Sequence, residues 1–165
     1  MNNHQSHVLL VDDSEDMLRT MANVLETAGF AVGSVTTGGG AIERLKRSPE
    51  IQLVILNFLL PDASGLSVLR QLRADGCEAA VIGTSTSDVG DGFLKAGAFA
   101  FMEKPFDIKE LVRLCREVVA STATRKGTDK HPAAKGQDLD SGTTTLQGPG
   151  TADRGIRTDE TRRLI

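Results

Sequence analysis

The feature that most constrains this chain is a repeated unit: a short apolar run that stops at a polar residue and leads into an amphipathic segment. Val8-Leu9-Leu10-Val11 stops at Asp12-Asp13, and Leu53-Val54-Ile55-Leu56 stops at Asn57. Four large aliphatics without alternation leave no side for water, so each run reads as a strand buried on both faces of a parallel sheet. Parallel strands need crossovers, and the amphipathic segments supply them. After the first run, Leu18, Met21, Ala22, Leu25 and Ala28 recur at helical spacing. Asp13 or Ser14 can cap this helix, Glu15 and Asp16 suit its positive end, and Gly29 suits the left-handed position that closes it.

The unit recurs down the chain. Phe30 to Val35 reads as a second strand, followed by a turn through Gly38-Gly39-Gly40 and a helix carrying Ala41, Ile42 and Leu45, closed by Pro49. Pro61-Asp62-Ala63-Ser64-Gly65 has turn chemistry, and a helix from about Leu66 to Arg73 presents Leu66, Leu69 and Leu72 on one side. Val81 to Ser85 is a fourth strand, and a short helix ends near Gly97. Phe99 to Met102 is a fifth strand, stopping at Lys104-Pro105, and the last helix buries Ile108, Leu111, Val112, Cys115 and Val119. Five such alternations predict an α/β fold, a five-stranded parallel sheet doubly wound by helices. In such sheets ligand chemistry gathers beyond the carboxyl ends of the strands. Asp12, Asp13, Asn57, Ser85 and Lys104 all fall at those ends, so the fold collects them into one cluster.

Composition narrows the class. Of 165 residues, 39% are hydrophobic and 25% charged, which suits a globular protein, and a net charge of −3 offers no bulk attraction to nucleic acid or an anionic membrane. The start is polar, without the apolar stretch of a signal peptide, and no apolar run approaches the roughly 20 residues of a membrane span. Cys77 and Cys115 are far apart with no CxxC spacing, which points to a reduced, cytoplasmic protein. A shift near Ser121 divides the chain: residues 1–6 read as a flexible N-terminus, 7–121 as the folded domain, and 122–165, rich in Thr, Gly and charges, as a disordered tail.

Val-Asp-Asp-Ser after the first strand, Leu-Pro-Asp-Ala-Ser-Gly-Leu after the third and Lys-Pro-Phe after the fifth resemble the receiver domains of bacterial response regulators, from about Val8 to Ala120. That resemblance implies a flavodoxin-like, CheY-like fold and a place in two-component phosphorelay signalling. It makes Asp12 and Asp13 the acidic pair that binds Mg²⁺, Ser85 and Phe101 the switch hydroxyl and switch aromatic, and Lys104 the lysine that contacts phosphoryl oxygens. The bond from Lys104 to Pro105 is usually cis in that family. Asn57 stands where the family carries its phosphorylated aspartate. A carboxamide is neutral and a poor nucleophile, so it forms no acyl phosphate. The same exchange removes one of three carboxylates, which leaves Asp12 and Asp13 as a weak Mg²⁺ site. Phe58 hinders deamidation of Asn57. Without a phosphoryl group, Lys104 is expected to form an ion pair with Asp13.

A second departure is the interval from Ser85 to Gly97, roughly one helical turn shorter than is common in receivers. It contains Gly90 and Gly92, each costing about 1 kcal/mol against Ala in a helix. The fourth helix is expected to be short or frayed, on what is the output face in the family.

The function these residues favour is a stand-alone pseudo-receiver: no enzyme, and a binding module whose partners are a sensor kinase or another regulator, with no nucleic acid or membrane. One alternative is phosphotransfer through Asp62 or Ser64. Another is a flavodoxin-like nucleotide or cofactor binder, disfavoured because no glycine-rich loop follows the first strand. Gly38-Gly39-Gly40 lacks the Lys-Ser/Thr of a phosphate loop and reads as a turn.

Overall fold

The computed structural model describes residues 5–127 and 156–158. Five strands, β1 (His7–Val11), β2 (Ala31–Val35), β3 (Ile51–Asn57), β4 (Ala80–Ser85) and β5 (Ala100–Glu103), alternate with five helices. The helices are α1 (Glu15–Thr27), α2 (Gly38–Arg47), α3 (Gly65–Ala74), α4 (Gly90–Lys95) and α5 (Ile108–Gly127). The five strands are parallel and lie in the order β2-β1-β3-β4-β5.

Strand alternation divides the core. Val8, Leu10, Leu53, Ile55, Ile82, Ala100 and Met102 face the layer of α1 and α5, where Leu18, Met21, Leu25, Leu111, Leu114 and Val118 meet them. Leu9, Val11, Val54, Leu56, Val81 and Phe101 face α2, α3 and α4, meeting Ala41, Leu45, Val68, Leu69, Leu72 and Phe93. Each fully buried large side chain contributes roughly 1.5–3 kcal/mol of transfer free energy, so the doubly apolar strands bind both layers at once.

Local chemistry sets the ends of the elements. The Ser14 side chain caps α1 by accepting from the Met17 N–H at 3.3 Å, and Gly29 closes that unit at φ 97°. Thr37 caps α2 and Ser64 caps α3. The glycine run expected as a turn is instead the first turn of α2. Both oxygens of Asp62, from the loop after β3, accept the N–H groups of Gly38 and Gly39 at 2.8 Å each. A carboxylate delivered from another loop satisfies the donors that a helix start leaves open, so three glycines can stand in helical positions. Gly38 also has no room for a side chain, since a Cβ there would lie 2.6 Å from a Val68 methyl.

Helix α4 has six residues and no side-chain cap. Phe93 anchors it: the ring is fully buried, lies 5.6 Å from Phe101 and 6.3 Å from Phe58, and sits over Gly83 of β4. The last helix runs on to Gly127, past the expected boundary at residue 121. The composition change near Ser121 is not a helix end, because no glycine or proline interrupts the helix before Gly127. Within the segment expected to be structureless, Ile156–Thr158 forms a short strand, β6, antiparallel to β5. The remaining calls on the termini, residues 1–4, 128–155 and 159–165, lie outside the described residues. Among the described residues no helix is long and apolar enough to cross a membrane.

Candidate functional site

The strand ends converge as the fold requires. Asp12 follows β1, Asn57 ends β3, Ser85 ends β4 and Lys104 follows β5, all at the carboxyl edge of the sheet. In register, Asn57 lies opposite Thr84 and Ser85 opposite Glu103. Asp12, Asn57 and Ser85 are buried, whereas Asp13 is exposed.

Hydrogen bonds join Asp12, Lys104, Asn57 and Asp13 into one chain. The Lys104 ammonium donates from Nζ to Asp12 Oδ2 at 2.6 Å and to Asn57 Oδ1 at 3.1 Å. Asn57 Nδ2 donates to Asp13 Oδ1 at 3.1 Å and to the Leu59 carbonyl at 2.7 Å. Asp12 Oδ1 accepts the Ser14 N–H at 2.9 Å. The lysine therefore pairs with Asp12, not with Asp13 as expected. Asp12 is the carboxylate taken out of water, and a buried charge needs a charged partner far more than an exposed one does.

The network fixes the amide orientation. Reversing it would set Oδ1 against the Asp13 carboxylate and the Leu59 carbonyl, and Nδ2 against the ammonium. A carboxylate at position 57 would likewise meet two oxygens with no hydrogen between them. The amide nitrogen thus bridges oxygens that an aspartate could share only with help from a cation.

The other expected site residues are held by their own neighbours. The Ser85 hydroxyl accepts the Ser87 N–H at 3.0 Å within its own turn, while the Ser85 carbonyl accepts the Lys104 N–H at 2.7 Å. Phe101 points into the core against Phe93. The Lys104–Pro105 bond is cis. The Phe58 N–H donates to the Thr84 carbonyl at 2.8 Å, which occupies the backbone nitrogen that deamidation of Asn57 would need. Asp62 is engaged at the start of α2, and those two N–H bonds hold its carboxyl below the ordinary value of 3.8. The Ser64 hydroxyl accepts from the Ser67 N–H at 3.1 Å as the cap of α3. Burial pushes the Cys115 thiol up to about 12, so it is no thiolate at neutral pH.

Sequence reasoning missed the Leu59 carbonyl, because backbone acceptors leave no mark on residue type. It also missed Arg73. Its guanidinium donates to the carbonyls of Cys77, Ala79 and Gly97 at 2.7, 3.0 and 3.1 Å, joining the end of α3 to the loops before β4 and β5.

The family model described as the response regulator receiver domain matches residues 8–116. The chain belongs to the response regulator receiver domain family. This receiver is 35% identical over 119 residues to the transcriptional regulatory protein KdpE of Mycobacterium tuberculosis, covering 70% of this chain and 52% of that one. It is 30% identical over 145 residues to the transcriptional regulatory protein CseB of Streptomyces avermitilis, covering 86% and 61%. The chain thus spans about half to three fifths of the length of these curated relatives. Among solved structures, the signal receiver domain of a LuxO repressor protein from Vibrio parahaemolyticus superposes with a TM-score of 0.72 at 27% identity, covering 77% of this chain and 99% of that one. The receiver domain of a Francisella response regulator, at 24% identity, a TM-score of 0.68 and coverage of 72% and 99%, shows the same fold.

Receiver domains typically bind Mg²⁺ at the phosphorylation site. In this receiver the residues present do not fit a resident divalent cation. Both Asp12 oxygens are engaged by Lys104 and Ser14, and the amide of Asn57 directs its hydrogens at Asp13 and the Leu59 carbonyl. Hard cations take oxygen ligands, and here the acceptors already hold donors. Among the described residues no cluster of three or more His, Cys, Asp or Glu side chains could hold a metal.

Proposed function

We propose that this receiver works in two-component signalling as a pseudo-receiver, through protein contacts that need no phosphoryl group at residue 57. The observation that carries the reading is the state of Asn57, a buried amide with Lys104 on its oxygen and Asp13 and Leu59 on its nitrogen. Phosphoryl transfer needs an anionic oxygen nucleophile in line with the donor and a cation to neutralise charge. Here the side chain is neutral, and its nitrogen holds the acceptors that a cation would use. The site residues then have structural roles: Asp12 and Lys104 form a buried pair, Asn57 ties the loop after β3 to Asp13, and Ser85 orders its own turn.

In this reading the chain is a binding module and not an enzyme. Its partners are a sensor kinase or another regulator that recognises the receiver surface. The curated relatives named as transcriptional regulators extend well beyond the matched region, and no DNA contact is assigned to the residues described here. The rival acceptors are disfavoured by their engagements, since Asp62 holds the start of α2 and Ser64 caps α3.

Affinity capture with the native chain tests the proposal, performed with and without acetyl phosphate and Mg²⁺. The same partners should be recovered at the same yield in both conditions. Capture that depends on acetyl phosphate would refute phosphorylation-independent contact.

A further inference from the structure

The parallel sheet ends at β5, and an edge strand presents unpaired N–H and C=O groups that invite another strand. Charges, a proline or a bulge normally deter this. Ala100, Phe101 and Met102 supply none of them and are buried, and the charge of Glu103 and the proline at 105 come only at the carboxyl end of this strand. The edge is covered instead by residues far away in sequence. Ile156 lies opposite Met102, Arg157 opposite Phe101 and Thr158 opposite Ala100, in antiparallel register. The same short strand approaches α4, the uncapped helix that contains Gly90 and Gly92.

We propose that the β5 edge is a strand-docking surface of this protein, and that residues 156–158 of the same chain are its occupant, an intramolecular strand that covers this edge of the sheet and braces α4. Isoleucine and threonine are β-branched and suit a strand, whereas the preceding tail is rich in glycine and polar residues. The connection is long enough. The 28 residues from 128 to 155 can reach at most about 90 Å when fully extended. That exceeds the distance of about 30 Å by which the 20 residues of α5 carry the chain from β5. Covalent connection makes the pairing intramolecular, which favours its own sheet over that of a second copy. A three-residue pairing is weak, so an extended segment of a partner can displace it by the same main-chain bonds.

Amide hydrogen exchange on the full chain tests this, comparing the native protein with Ile156→Pro and Arg157→Pro. Neighbouring N–H groups in a strand point in opposite directions, so one of these two prolines removes a ladder donor. In at least one variant, β5 amides should exchange about tenfold faster while those of β1 and β3 stay unchanged, the change expected for loss of roughly one hydrogen bond. A synthetic peptide of residues 150–162 added to that variant should restore protection. Unchanged β5 exchange in both variants, or no rescue by the peptide, would overturn the docking surface. Native protection that rises with protein concentration alongside a dimer would overturn the assignment of the occupant to the same chain.

Discussion

Restoring the carboxylate by Asn57→Asp should destabilise the receiver in the absence of metal. The variant loses both donations from Nδ2, to Asp13 at 3.1 Å and to Leu59 at 2.7 Å. It also sets a second negative charge beside the Asp13 carboxylate. At an effective dielectric constant of 20, two like charges about 3 Å apart repel by roughly 5 kcal/mol, and Lys104, 3.1 Å from Asn57 Oδ1, offsets a similar amount. The remainder is two lost hydrogen bonds with their acceptors left unpaired, about 1–3 kcal/mol net. Mg²⁺ should reverse the loss, since a cation at ten times its dissociation constant stabilises by about 1.4 kcal/mol. Urea denaturation followed by circular dichroism at neutral pH, in chelator and in Mg²⁺, measures both effects. The variant should be the less stable protein in chelator and gain more from Mg²⁺ than the native chain does. A variant as stable as native in chelator, or a native chain that gains equally from Mg²⁺, would refute the view that the amide stands in for a cation.

Three other outcomes follow from the packing and the loop contacts. Arg73→Met removes a cation shared by three carbonyls and should cost about 2 kcal/mol in denaturant titration. Gly83→Ala would place a Cβ 2.4 Å from the Phe93 ring, so overpacking should cost about 1–3 kcal/mol, with part recovered in the double variant Gly83→Ala/Phe93→Leu. Asp62 has its pKa lowered by the Gly39 and Gly38 N–H groups, so its stabilisation is fully present above its unfolded value near 3.8 and is lost as pH falls through the lower folded value. Acid denaturation of native and Asp62→Asn proteins should therefore differ in stability above pH 3.8 and converge below it; a constant difference down to acid pH would contradict the capping role.

Much of the fold was legible because its strands are doubly buried. Leu53 to Leu56 has no polar alternation and ends at Asn57, so both the strand and the polar group at its end can be read without tertiary information. The cluster followed from the parallel topology, which brings every carboxyl end to one edge. The wiring inside the cluster was not legible. Whether Asp12 or Asp13 receives Lys104 depends on which carboxylate the backbone turns inward after β1, and two adjacent aspartates carry no mark of that. The glycine run was misread for a similar reason: its helical conformation depends on Asp62, which arrives from another loop. The strand at Ile156–Thr158 is three residues long and pairs across more than fifty positions, so no local periodicity reveals it.

The central claim is that residue 57 accepts no phosphoryl group, and intact-mass spectrometry after incubation with acetyl phosphate and Mg²⁺ tests it most directly. The native chain should show no mass increment of one phosphoryl group. Asn57→Asp should acquire a base-labile one, because Asp12, Asp13 and Lys104 still surround the position. A substantial phosphorylated species in the native chain, mapped to Asp62 or any other carboxylate, would contradict the account.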